Sequence, residues 1–450
     1  MNRFFLPALL AGLVCAAPPL AVAEDLLAIY DRAVQSDPIL KEAESNLYAT
    51  REVKPQAKAL LLPNIGVSGD VTYNNIRTRG NNAAGSFNRS DSFTDGSLSP
   101  VITQTVYNRA NWMQLKQTDN TIAQAEAQYS SAQIDLMSRT TVAYFEVLRS
   151  ADAVRVSESL VRANERQLDQ SKQRFEVGLV AITDVNESQA AYDLSRANLI
   201  LAQNNMDNQW EALRKIVGPI EVPLSRLGDK LPLAPPAPND INQWVEAAMQ
   251  GNYGIVAATQ AEEAAKKNIE IQKSGHYPTL EANAGYQWTR STADFNTDVD
   301  GAFIGLQVNV PIYQGGAVDS RTRQAGYQLR AAQDQLDQQR RSVTQQVTDA
   351  FRGILSSISE VQARQSAVLS ARSNLESTQA GLEVGTRTQV DVLNAQRSLF
   401  QAEFDYLSSR YDYVINGVKL HQATSTLTRD VLAKGNAWLT SADPVAPPAY

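Results

Sequence analysis

The chain has 450 residues, of which 43% are hydrophobic and 20% charged, which excludes a disordered polyelectrolyte. Its formal charge of −7 argues against a nucleic-acid partner, which calls for a basic face. The two histidines, His276 and His421, stand in no metal-ligand spacing, and no Gly-rich phosphate loop follows a strand. No catalytic constellation or cofactor motif is visible, so the reading is of a non-enzyme.

Residues 1–23 read as a secretory signal. Arg3 supplies the positive start, Phe4 to Leu20 is mostly apolar, and Ala21-Val22-Ala23 fits the cleavage pattern. The single cysteine, Cys15, lies in this segment after Val14, which does not suit a lipoprotein signal. No later stretch reaches the ~18–20 apolar residues of a spanning helix. Any membrane crossing therefore needs a closed β-barrel, because lipid leaves open backbone groups unsatisfied.

The remainder repeats itself, 24–217 against 240–424, across a connector at 218–239 that holds six prolines. Ala33-Val34-Gln35 matches Ala248-Met249-Gln250, and Glu176-Val177-Gly178 matches Glu383-Val384-Gly385. Each half is ordered as helix, two strands, very long helix, break, helix. Period-2 alternation predicts strands over about 63–74 and 92–107, then about 278–290 and 301–313. Polar loops are expected at about Asn74–Asp91 and Ser291–Gly301, and Tyr73, Phe93, Trp288 and Phe303 form a prospective aromatic girdle. Ala110 to Glu176 lacks Pro and Gly, and Ala317 to Ala380 lacks Pro. Helices of that length reach ~100 Å and need a coiled-coil or tubular companion. An apolar seam at 3–4 spacing runs from Leu329 through Leu336, Val343, Val347, Ile354 and Val361 to Leu375. The stretch after 424 is expected to end in a flexible tail over 441–450, rich in Pro and Ala.

Four strands cannot close a membrane barrel, which takes at least ~8, so they must be shared between copies: a dimer would offer eight, a trimer twelve. A surface adhesin or structural coiled-coil trimer shares long helices and strands, but not the duplicated Val-Gly…Asp-Val break.

Three runs then carry a resemblance. Arg174 to Val185 reads Arg-Phe-Glu-Val-Gly-Leu-Val-Ala-Ile-Thr-Asp-Val; Val310 to Gly316 reads Val-Pro-Ile-Tyr-Gln-Gly-Gly; Val384 to Val392 reads Val-Gly-Thr-Arg-Thr-Gln-Val-Asp-Val. They resemble the repeat motifs of the TolC family, in order and at matching separations over nearly the whole mature chain. The resemblance implies a mainly α fold: a long α-helical coiled-coil tunnel joined to four β-strands per protomer, shared in a homotrimeric 12-stranded barrel in the outer membrane of a Gram-negative cell. It implies an export duct in contact with outer-membrane lipid, docked by a periplasmic adaptor protein and an inner-membrane pump or ABC transporter, that passes drugs, small molecules or secreted proteins.

It also implies a gate. Gly178 and Gly385 break the long helices, with new helices starting near Thr183-Asp184 and Val390-Asp391. Thr and Asp are helix-start residues, so these acids could serve only as caps. In the family such turns close the periplasmic tip, which would tie Arg387 to Thr183 and Asp184 and aim Asp391 at the lumen as a ring favouring cations. This sequence departs from the family pattern at Asn394, where a second acid is usual, and at Leu382, where a tyrosine is usual. Gln167 and Gln379 are the nearby candidates for replacing the lost contact.

Overall fold

A computed structural model describes residues 23–293 and 296–448. The expected signal segment and Cys15 lie outside the described residues, apart from Ala23. The first half contains α1 (Leu26–Ser36), α2 (Pro38–Arg51), α3 (Val53–Ala59), β1 (Asn64–Asn82), β2 (Gly85–Tyr107), α4 (Arg109–Glu176) and α5 (Ile182–Val217). After β3 (Leu224–Leu227), the second half contains α6 (Ile241–Gly251), α7 (Tyr253–Lys273), β4 (Thr279–Ser291), β5 (Thr297–Asn309), α8 (Ala317–Glu383) and α9 (Gln389–Ala423). The chain then forms α10 (Arg429–Asn436) and β6 (Leu439–Val445).

The long helices α4 and α8 have 68 and 67 residues, ~100 Å each at ~1.5 Å per residue. Neither is stable through propensity alone; each is covered along its length. α5 folds back along α4, α9 along α8, and α7 lies against both α4 and α8. The seam expected on α8 is the covered stripe: Leu336, Val343, Val347, Ile354 and Val361 are all buried.

The core sits where the middles of α4 and α8 meet the ends of α5 and α9. Tyr144, Phe145 and Leu148 of α4 pack there with Trp210 and Leu213 of α5, Phe351 of α8 and Val414 of α9. Short elements seal this hub. β3 pairs antiparallel with β6, and Glu24 bridges to Leu224 from the other side. The expectation of a flexible tail over 441–450 is thus corrected for 441–445, while 449–450 lie outside the described residues. Leu439–Val445 is a strand whose last residue is buried, because it completes the backbone pairing of β3 and covers the core. The proline-rich connector likewise holds β3 in an otherwise irregular path.

The two halves also share a turn. Asp37 caps α2 by accepting from the Leu40 N–H at 2.9 Å, and Asn252 caps α7 by accepting from the Ile255 N–H at 3.2 Å. Asp37 also takes both arms of Arg139 on α4, at 3.2 and 3.0 Å, while Asn252 donates to the Ala423 carbonyl that ends α9. Burial raises the Asp37 pKa, but the Arg139 hydrogen bonds and the Leu40 and Ile39 amides outweigh it and hold the carboxyl below its ordinary value.

The strands β1, β2, β4 and β5 form one antiparallel sheet in the order β1-β2-β4-β5, with β1 and β5 as edges unpaired among the described residues. Residues opposite one another share a face. The row Ile65, Ile102, Ala284, Ile304 lies on one face, with Leu306, Val308, Val67, Leu98 and Val71. These apolar side chains are bare: Ile304 is 88% and Val71 80% exposed. The opposite face carries Ser68, Asp70, Thr72, Ser97, Asp95, Asn283 and Glu281. The sheet is therefore apolar on one side and polar on the other.

Two expectations are corrected here. The polar stretch Asn74–Asp91 is not a loop: β1 and β2 run on through it to a turn at 83–84, because ladder hydrogen bonds need only backbone. Between β4 and β5 the connection shrinks to 292–296. The register also splits the aromatic girdle. Tyr73 and Trp288 stand on the apolar face, but Phe93 and Phe303 stand on the polar one. There Phe303 covers Gly285 so closely that a Cβ would lie 2.8 Å from its ring.

Candidate functional site at the two helix breaks

α4 and α8 end on the same backbone device. Gly178 adopts φ +77° and Gly385 φ +78°, a conformation that costs a side-chain-bearing residue energy. The following amides turn back to the last helical turn, Leu179 N–H to the Arg174 carbonyl and Thr386 N–H to the Gly381 carbonyl, both at 2.8 Å. The Arg387 stem then lies over Gly381, where a Cβ would come within 2.6 Å of it.

The helices restart differently. α9 begins with a complete capping box: the Asp391 N–H donates to the Thr388 hydroxyl at 3.2 Å, and the Thr388 N–H donates to the Asp391 carboxylate at 2.9 Å. The Thr388 hydroxyl also sits 2.9 Å from that carboxylate. The Thr388 amide and hydroxyl, with the Arg387 charge, hold the Asp391 pKa below its ordinary value against a small opposing effect of desolvation. In α5 the matching N-cap is Ala181, which has no hydroxyl to offer. Asp184, the counterpart of Asp391, makes no side-chain hydrogen bond or ion pair among the described residues. The sequence left a cap role open for both acids; the structure puts Asp391, and not Asp184, in that role.

The breaks are joined side by side. The Ser171 and Ser188 hydroxyls lie 3.0 Å apart, Ser188 donates to the Asp184 carbonyl at 2.9 Å, and Gln389 donates to Ser188 at 3.1 Å. Gln167 donates to the Gln389 side-chain oxygen at 3.0 Å. Ser171, Ser188 and Gln389 are buried, so this network ties α4, α5 and α9 together at the tip. Of the expected residues, Gln167 belongs to it. Gln379 is exposed, and its side chain makes no hydrogen bond among the described residues. Arg387 and Thr183 are also exposed, and within one chain Arg387 reaches neither Thr183 nor Asp184. Ser171, Ser188 and Gln389 escaped the sequence reading. The signal was there for Ser171, which follows buried Leu168 by one helical turn and so faces the seam.

The model of the outer membrane efflux protein family matches residues 29–219 and 244–426, the two halves in turn. The chain belongs to this family. Each matched half supplies one long helix and two strands of the shared sheet. It is 37% identical to the outer membrane protein TolC of Vibrio cholerae serotype O1, over 93% of this chain and 94% of that protein. It is 25% identical to the alkaline protease secretion protein AprF of Pseudomonas aeruginosa, over 89% of this chain and 84% of that one. Among solved structures, the CmeC outer membrane channel of Campylobacter jejuni superposes with a TM-score of 0.77 at 14% identity, covering 92% of this chain and 89% of that one. That likeness concerns the fold. Membership in the family places this protein in the outer membrane.

Proposed function

We propose that the protein is the exit duct of an efflux or type I secretion machine, built as a homotrimer and engaged at its helical tip by a periplasmic adaptor protein and an inner-membrane pump or ABC transporter. One observation carries this reading. The four-stranded sheet is apolar on one face and polar on the other, has two open edges, and continues into helices of 67 and 68 residues. An isolated sheet of that kind leaves its edges unpaired in lipid. Three copies joined edge to edge close a twelve-stranded wall, apolar toward lipid and polar toward a lumen.

The gate follows from the breaks. Arg387 and Asp184 are opposite charges at one end of the molecule, each without an ion pair among the described residues. In a ring of three, Arg387 of one protomer ties Thr183 and Asp184 of the next, with the Gln167–Gln389–Ser188 network, buried at Gln389 and Ser188, keeping each break rigid. An exposed pair contributes only ~0–1 kcal/mol. Three weak ties make a latch that a docking adaptor can release. Asp391 lies beside this latch and adds negative charge to the constriction.

The test is conductance of the reconstituted protein in a planar bilayer. Wild type is expected to give small, cation-favouring steps and Arg387→Ala steps several-fold larger. A protein that stays monomeric in detergent, or gives no ion current, refutes the duct reading. Unchanged steps in Arg387→Ala remove that residue from the latch.

A further inference from the structure

The β1–β2 hairpin extends well past the apolar band, and its register sorts charge by face. On the face continuous with the lipid-side apolar rows, β1 presents Tyr73, Asn75, Arg77, Arg79 and Asn81 in succession. Their cross-strand neighbours on β2 are Thr94, Ser92, Ser90, Asn88 and Ser86. The only charges on this part of the face are the two arginines. The hairpin's acids point the other way: Asp95 takes a hydrogen bond from Asn74, and Asp91 is held by Arg89 at 2.8 Å. The other outward charges are already satisfied, since Arg290 pairs with Asp298 at 3.0 Å and Asp300 accepts from the Tyr286 hydroxyl. The Arg77 and Arg79 side chains are exposed and make no hydrogen bond or ion pair among the described residues.

We propose that Arg77 and Arg79 form a binding site for the phosphorylated headgroup of an outer-leaflet lipid. The proposal rests on the sheet being one segment of a membrane barrel. Tyr73 then marks the upper edge of the hydrocarbon, as interfacial aromatics do. Arg77 lies four residues beyond it, ~13 Å along the strand and ~10 Å in height for a strand tilted by ~40°. An arginine stem that bends back toward the belt brings its guanidinium to headgroup level. The two arginines, two residues apart on one face, stand ~7 Å from each other. Guanidinium groups bind phosphate oxygens in bidentate fashion, and the serine and asparagine side chains opposite supply further donors. Because β1 is an edge strand, the competing occupant is a carboxylate on β5 of the neighbouring protomer.

The test uses the purified full-length protein in detergent, with lipid A and chemically dephosphorylated lipid A as probes, each read by native mass spectrometry and by fluorescence titration. Wild type is expected to bind lipid A about 30-fold more tightly than the Arg77→Ala/Arg79→Ala variant at low ionic strength. Arg77→Lys/Arg79→Lys should recover most of that difference, and molar salt should erase it. The dephosphorylated probe should bind wild type no better than the alanine variant binds lipid A. Equal lipid A affinity in wild type and the alanine variant overturns the site. So does equal affinity of wild type for the two probes. An alanine variant that loses its oligomer while binding lipid A unchanged assigns the arginines to the neighbouring protomer and also overturns it. Conductance in a neutral-lipid bilayer separates the two readings. It should be the same in both proteins, and its absence in wild type defeats the duct and the lipid site together.

Discussion

The two halves of this chain place the same turns at the same points and hold them with different chemistry. At the hub, Asp37 and Asn252 both cap the helix that follows. The first carries a charge and reaches Arg139 across to α4; the second is neutral and reaches the Ala423 carbonyl. At the tip, Gly178 and Gly385 adopt nearly the same φ, yet Thr388 completes a capping box where Ala181 cannot. Backbone geometry is the part the halves hold in common. Polar side chains are where they divide: one copy commits its acid to its own helix, the other leaves it available.

The hub should show the largest difference. Asp37→Ala removes a cap and one of the two carboxylates that hold Arg139, leaving the guanidinium on Asp135 at 2.6 Å, a loss of about 2–3 kcal/mol. Asn252→Ala removes a cap and a neutral hydrogen bond, about 1–2 kcal/mol. Hydrogen exchange of α2 and α7 amides reads the two openings separately. The Asp37 effect should also depend on pH. Its native pKa is lowered, so its stabilisation is complete above the unfolded value of about 4 and is lost as pH falls through the native value. Asn252→Ala should show no such dependence, and a pH-independent Asp37→Ala would discard the charge argument. Next in size, Gly178→Ala and Gly385→Ala should each cost about 1 kcal/mol, and equally, because no neighbouring atom lies within 4 Å of either added methyl. Unequal costs would mean that the two breaks do not share one backbone.

Much of this was legible in the sequence. The duplication, the long helices without Pro, the seam on α8 and the glycine breaks are local patterns, and each reflects one dominant force. What escaped was set by distance or by backbone. The Asp37–Arg139 pair spans 102 residues, and no periodicity joins its members. β1 and β2 pass through Asn-, Ser- and Thr-rich sequence because a long hairpin feeds its own backbone hydrogen bonds, so side-chain composition stopped being informative there. Residues 441–445 read as tail because what orders them is the unpaired edge of β3, more than two hundred residues earlier. Thr388-Gln389-Val390-Asp391 is itself a legible capping-box pattern. The family resemblance points Asp391 toward the lumen instead, and so draws attention away from the cap.

The smallest expected energies give the sharpest test of the tip. Thr388→Ala should cost about 1 kcal/mol in the first turn of α9 and leave Asp391 held by the backbone amide of position 388 alone. Ala181→Thr should do the reverse, supplying the hydroxyl that Asp184 lacks and stabilising the start of α5 by up to about 1 kcal/mol. If Asp184 serves the latch, that gain weakens the tie to Arg387, because a carboxylate engaged by the amide and the new hydroxyl at position 181 has fewer lone pairs left for a guanidinium. The variant should therefore be more protected from exchange in α5 and conduct more ions than wild type, a pairing that loosened folding cannot produce. Greater protection with unchanged conductance would show that Asp184 is a bystander, and that the two breaks differ in helix capping alone.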